Sequence, residues 1–160
     1  MIHRILVSSV VTGLSLASVA MTANAAAVDP WTGTWVLDVA KSSYTPGPGP
    51  TSETIVISDA GGGRVKTSVD HVFPGGKPSH VEFTYAYDGH DYPTNDSPGE
   101  TISVRKTDAS TLAVTIKVSG KVTSTSTSKL SADGMAFTST GAATMRDGSP
   151  VKAVAVYERK

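Results

Sequence analysis

The chain has 160 residues, with 14 Lys plus Arg balanced by 14 Asp plus Glu, no Cys, and an aromatic content of 6%. That length supports one hydrophobic core rather than two, and so few aromatics leave Val, Ile, Leu and Ala to fill it. Balanced charge argues against nucleic acid or an anionic membrane as partner, since either calls for a basic surface, and the lack of Cys excludes disulfides and thiol nucleophiles.

Met1 to Arg4 supply a short positive start, Ile5 to Ala20 form an apolar run, and Ala23, Asn24 and Ala25 make a small-residue cleavage site. These are the three parts of a secretory signal. Cleavage is expected after Ala25, with Ala27 as the alternative, leaving 26–160 as a single domain in the periplasm or secreted. The run is shorter than the about 20 residues that span a bilayer and contains Thr12, Ser15 and Ser18, so no membrane insertion is expected after cleavage.

From Gly33 onward the chain alternates with period two, is rich in Val, Ile and Thr, and is cut at short intervals by Gly, Pro, Asn or Asp. That pattern predicts strands at 33–40, 53–58, 64–73, 79–87, 100–107, 111–118, 121–130, 135–145 and 151–159. Short connections such as Ser119-Gly120 and Asp133-Gly134 favour antiparallel neighbours. The expected fold is all-β, an antiparallel up-and-down barrel of about 8–9 strands, because a Greek-key sandwich needs a long crossing. Two gaps are longer. Residues 41–52 hold a Pro-Gly run expected to be extended and semi-rigid, and 89–99 is the most polar loop, expected at the rim of a binding mouth.

Alternation also assigns faces. Trp35, Leu37 and Val39 share the inner face of the first strand. Val65, Thr67, Val69, His71 and Phe73 follow, then Val81, Phe83, Tyr85 and Tyr87, then Ile102, Val104, Leu112, Val114, Ile116 and Val118. The stretch Lys121 to Leu130 is nearly all Thr and Ser. It reads either as an outer strand of good β formers or as a small, polar wall beside an internal cavity.

Chemistry-bearing patterns are sparse. Pairing Phe73 with Ser79 across the Pro-Gly-Gly-Lys-Pro loop turns His71 inward and His80 outward, so no metal is expected between them. Asp88, Asp91, Asn95 and Asp96 lack the spacing of a calcium loop. Nucleophile elbows and zinc-protease helices are missing from the sequence, and the acids that can be placed fall outward or in loops, leaving no inward carboxylate pair for glycoside chemistry. The chain reads as non-catalytic, with no cofactor and no metal.

At the first strand, Gly33-Thr34-Trp35 resembles the Gly-x-Trp that opens lipocalins and fatty-acid-binding proteins, and Val154 to Arg159 is similar to the last strand of the latter. The longer run from Gly33 to Pro48, with Tyr87-Asp88-Gly89 and Asp91-Tyr92-Pro93, resembles small secreted bacterial proteins of lipocalin-like type. The resemblance implies a calyx whose base is closed by Trp35. Fatty-acid-binding proteins hold a ligand carboxylate with an Arg-x-Tyr pair in the last strand. The matching positions here are Ala155 and Tyr157, so fatty-acid binding does not carry over.

The leading reading is a barrel that binds a small apolar or amphiphilic ligand, with Trp35, His71, Phe83, Tyr85 and Tyr157 as candidate binding residues and Ser/Thr hydroxyls to orient it. The alternative is an interaction or inhibitor module with a filled core, using the Pro-Gly and 89–99 loops as its surface. An open interior favours the first and a packed one the second.

Overall fold

The computed structural model describes residues 28–145 and 147–160. The expected signal segment and both of its cleavage positions lie outside the described residues.

Among the described residues ten antiparallel strands follow one another: β1 (Gly33–Thr45), β2 (Ser52–Gly61), β3 (Arg64–Val72), β4 (Ser79–Tyr85), β5 (Tyr92–Pro93), β6 (Glu100–Asp108), β7 (Thr111–Val118), β8 (Lys121–Leu130), β9 (Ala136–Thr144) and β10 (Pro150–Arg159). Their order in the sheet is β4-β3-β2-β1-β10-β9-β8-β7-β6-β5. Strands next to one another in sequence are therefore next to one another in space, and the first and last pair. β4 and β5, the two edges, meet through the Phe83–Thr94 bridge and through the Glu82 amide, which donates to Asn95 Oδ1 at 2.6 Å. This contact draws the sheet into a barrel and lowers the exposure of two edges that would otherwise be open for pairing. The strand beyond the expected eight or nine is β5, from the 89–99 loop, which runs along this seam.

Hairpin chemistry fixes the turns. Ser119 and Gly120 have φ of 50° and 79°, the left-handed pair that matches the twist of a two-residue hairpin. Trp31, Trp35, Leu112, Leu130 and Phe137 are buried towards one end of the barrel. The loops 46–51 and 73–78 gather at the other, where Met145 also lies.

Two inward assignments differ from expectation. Val39 is 50% exposed because β1 bulges between Asp38, opposite Val156, and Ser43, opposite Val154. Ser42 holds the bulge: its hydroxyl donates to Asp38 O at 2.7 Å and accepts from the Val156 amide at 3.0 Å, replacing a ladder bond. Phe73 is 42% exposed. It opens a turn, with the Gly76 amide donating to its carbonyl at 2.9 Å, so the β3–β4 ladder starts at His71 opposite Ser79 rather than at Phe73. The two-position slip preserves which side chains share a face.

A cavity inside the barrel as candidate functional site

The interior is open, with a cavity of about 590 Å³. Its size follows from what β8 and β9 point inward. Ser124, Ser126 and Ser128 on β8 face Ser139, Gly141 and Ala143 on β9, and Ala153 and Ala155 continue the surface onto β10. Where Val, Ile or Leu would meet the opposite wall, these positions offer a hydroxyl, a methyl or nothing. At Gly141 a Cβ would run into the Thr125 carbonyl and the Ser126 side chain, so close strand approach itself requires glycine there. The serine strand is thus the small, polar wall of the cavity. Ser128 donates to Ser139 Oγ at 3.1 Å, which satisfies hydroxyls shielded from water.

The facing wall is apolar, built by Ile55 and Ile57 of β2, Val69 of β3, Phe83 and Tyr85 of β4, and Ile102, Val104, Val114 and Ile116 of β6 and β7. Trp31 and Phe137 lie at the floor. Phe137 stacks on Tyr157 with centroids 4.6 Å apart and meets Trp35 edge-on at 5.0 Å. At the mouth stand Tyr44, Pro48, Gly49, Pro50, Phe73, Asp96 and Met145. The Pro-Gly run therefore lines the opening, with Gly49 so close to the Tyr44 ring that a side chain there would strike it. Of the 89–99 loop, Asp96 reaches the lining.

Glu53 and Asp96 are the charged groups of this lining, which holds no Lys, Arg or His among the described residues. Glu53 shares the inward face of β2 with Ile55 and Ile57. Its carboxylate accepts the Tyr157 hydroxyl at 2.6 Å, and His71 is its cross-strand partner. Burial pushes the Glu53 carboxyl above its ordinary range, against the opposing pull of the Tyr157 hydrogen bond and of His71. The Tyr157 hydroxyl is raised too, by burial first and then by the charge on Glu53. Tyr85 is raised by burial, and Thr67 Oγ1 donates to its oxygen at 3.4 Å.

Of the residues singled out from sequence, Phe83, Tyr85 and Tyr157 line the cavity. Trp35 lies beneath it, fully buried, its indole N–H donating to the Trp31 carbonyl at 2.9 Å. His71 does not line the cavity, although it lies opposite inward Glu53 on the neighbouring strand and edge-on to Phe73 at 5.4 Å. His80 lies outside the barrel against Asp70, at 2.7 Å. The expectation that acids fall outward or in loops is corrected at Glu53. Extending the Ile57–Ile55 alternation by one step reaches it, so the signal was present. Trp31 and Phe137 had weaker signals, the first preceding its strand and the second opening one. No group of three or more His, Asp or Glu able to hold a metal occurs among the described residues.

No family model matches the chain, and no curated protein matches it. Among solved structures it is similar to a mutant of the fluorescent protein UnaG, with 19% identity, 83% of this chain and 98% of that one covered, and a TM-score of 0.52. It is similar also to the redesigned β-barrel mFAP0 bound to DFHBI (14% identity, 81% and 99% covered, TM-score 0.44). A third likeness is to the siderocalin Ex-FABP (15% identity, 81% and 73% covered, TM-score 0.34). The first of these likenesses is one of fold, an antiparallel up-and-down β-barrel.

The floor of this barrel is tied by Arg159 at the end of β10. Its Nη1 donates to the Thr32 carbonyl at 2.7 Å, Nη2 to Pro30 at 2.5 Å and Nε to Gly134 at 2.9 Å. Gly33, at φ 145°, leaves the guanidinium the space that a Cβ would occupy. The Gly33-Thr34-Trp35 element thus has a mechanical role: glycine admits the arginine that covers the tryptophan.

Proposed function

We propose that the chain is a non-catalytic binding barrel for a small, partly apolar molecule, acting in the periplasm or as a secreted protein. One observation carries the reading: the interior holds a cavity of about 590 Å³, inside the ~300–1,000 Å³ range of small-molecule sites. A module that works through its surface has no use for such a space, and the volume argues for the binding reading over the filled-core alternative. The mixture of linings supports it as well. An aliphatic wall, the aromatic rings of Phe83, Tyr85 and Tyr157, and a strip of serine hydroxyls suit a ligand with an apolar body and a few polar atoms. Glu53 bonds a tyrosine hydroxyl rather than a nucleophile or a second acid, an arrangement for recognition. The extracytoplasmic assignment is supported by the signal pattern of Met1 to Ala25.

Native mass spectrometry of protein purified from its own host tests this reading. A co-purified molecule whose mass is released on unfolding is expected. A titration with a neutral apolar fluorophore adds the site: Tyr85→Ala and Tyr157→Ala should weaken binding more than the Phe variants, which lose only a hydroxyl, worth about 0.5–1.5 kcal/mol if bonded to the ligand. Equal binding by all five proteins, or none, would favour the surface-module reading.

A further inference from the structure

The cavity is one-sided in charge. Two carboxylate side chains reach its lining, and no cationic side chain does among the described residues. Asp96 stands at the mouth, where water screens it. Glu53 is deeper, held by Tyr157 of β10 through a 2.6 Å hydrogen bond and set between Tyr44 of β1 and His71 of β3. An ionised carboxyl so placed lacks a full counter-charge, and such a group is stabilised by any partner that brings a positive charge or a strong donor. A ligand carboxylate would add a second negative charge in a poorly solvated space. On the inner face of the last strand, Ala155 contributes a methyl group to the wall.

We propose that the barrel selects amphiphilic amines: molecules with a hydrocarbon or aryl body and a protonated amino group, which donates to Glu53. This inference rests on the binding-barrel reading and names its ligand class. Tyr157 positions the Glu53 carboxylate by occupying Oε1, leaving Oε2 to accept from the ammonium. The rings of Tyr44 and Tyr157 offer electron-rich faces that favour a cation. The apolar body lies along Ile55, Ile57 and Phe83, and the serine wall, neutral and hydroxylic, accommodates either an apolar tail or further polar substituents.

The test uses three ligands of one chain length, dodecylamine, dodecanol and dodecanoic acid. Each is kept below its aggregation concentration and competed against the neutral fluorophore N-phenyl-1-naphthylamine. The amine should displace the fluorophore at concentrations about 10–100-fold below those of the alcohol, the ratio expected for a hydrogen bond to a charged group, and the acid should be weakest. In Glu53→Gln the amine-to-alcohol ratio should fall to near one. A wild-type ratio near one, or a preference for the acid, overturns the amine inference while leaving the binding barrel intact. Failure of the fluorophore to bind at all overturns both.

If Glu53→Gln does not fold, a pH series on the wild type serves instead, because dodecylamine stays protonated and dodecanol neutral throughout. The amine preference should fade as acidification protonates Glu53. His71 is titratable too and faces Glu53, and Asp96 is the second carboxylate of the lining, so the series is repeated in His71→Gln and in Asp96→Asn: persistence of the fade in both assigns it to Glu53, and its disappearance in either, like a ratio independent of pH, overturns the proposal.

Discussion

The guanidinium of Arg159 lies over the Trp35 ring, its carbon 4.1 Å from the centroid, while its three nitrogens each hold a backbone carbonyl. One side chain thus joins the segment before β1, the β8–β9 turn and the end of β10. Trp35→Ala should destabilise by about 3–5 kcal/mol, as aromatic truncations in cores do. Arg159→Ala should lose about 1.5–3 kcal/mol, and Arg159→Lys should recover little, because an ammonium cannot match the planar fork. The double variant should lose less than the two single losses together, since the residues share a contact. Chemical denaturation checks this, and a loss below about 1 kcal/mol for Trp35→Ala would contradict the account of the floor.

On the outer face, Asp70 holds His80 Nδ1 at 2.7 Å and Glu82 approaches Nε2 at 3.5 Å. The imidazole is raised above its ordinary value, chiefly by the Asp70 hydrogen bond. Stability from this pair is therefore full below the unfolded imidazole range and is lost as pH rises through the raised folded value. Both side chains are more than half exposed, so the stability effect is small and the titration is the better readout. In NMR the His80 midpoint should lie above about 6.5 and move down in Asp70→Asn. An unchanged midpoint would contradict the pairing.

Glu53 has the opposite linkage from a salt-bridged acid. Its folded carboxyl is raised, first by burial, so the folded state binds its proton more tightly than the unfolded chain does. Its contribution to stability is then lost as pH rises from the ordinary carboxylate range through the raised folded value, and the penalty is complete above it. Glu53→Gln should be more stable than wild type at neutral pH, and the difference should vanish in acid. Tyr157→Phe removes the donor that stabilises the ionised carboxylate, so the Glu53 titration should move further up. Thermal unfolding across pH checks both. A Gln variant less stable than wild type at neutral pH would show that the carboxylate is better compensated than the geometry indicates.

Much of this barrel is legible in the sequence because a half-buried strand writes its face into alternate residues. β7 and β8 fall within the expected limits for that reason, and Phe83, Tyr85 and Tyr157 take their inward places by parity alone. The bulge at Val39 is different: it depends on Ser42 finding the Val156 amide far along the chain, and a local pattern carries no trace of that. The exposure of Phe73 likewise follows from a turn that takes two more residues than the loop composition suggests. Glu53 is the instructive case. Parity points it inward while its charge argues outward, and the structure resolves the conflict by giving it Tyr157. A residue that breaks the hydrophobic rule in this way is where function is to be sought.

The central claim is that the space beside the serine wall is a binding site. Ser126→Leu tests it most directly, because Ser126 lines the cavity opposite Gly141 and a leucine there enters open space. Titration of N-phenyl-1-naphthylamine into wild type and Ser126→Leu is the measurement, with thermal unfolding run alongside. Saturable one-site binding by the wild type, about tenfold or more weaker in a variant whose stability is retained or increased, is the predicted result. Equal binding by the two proteins, or an unbound wild type with a variant destabilised by the about 1–3 kcal/mol of an overpacked core, would contradict it.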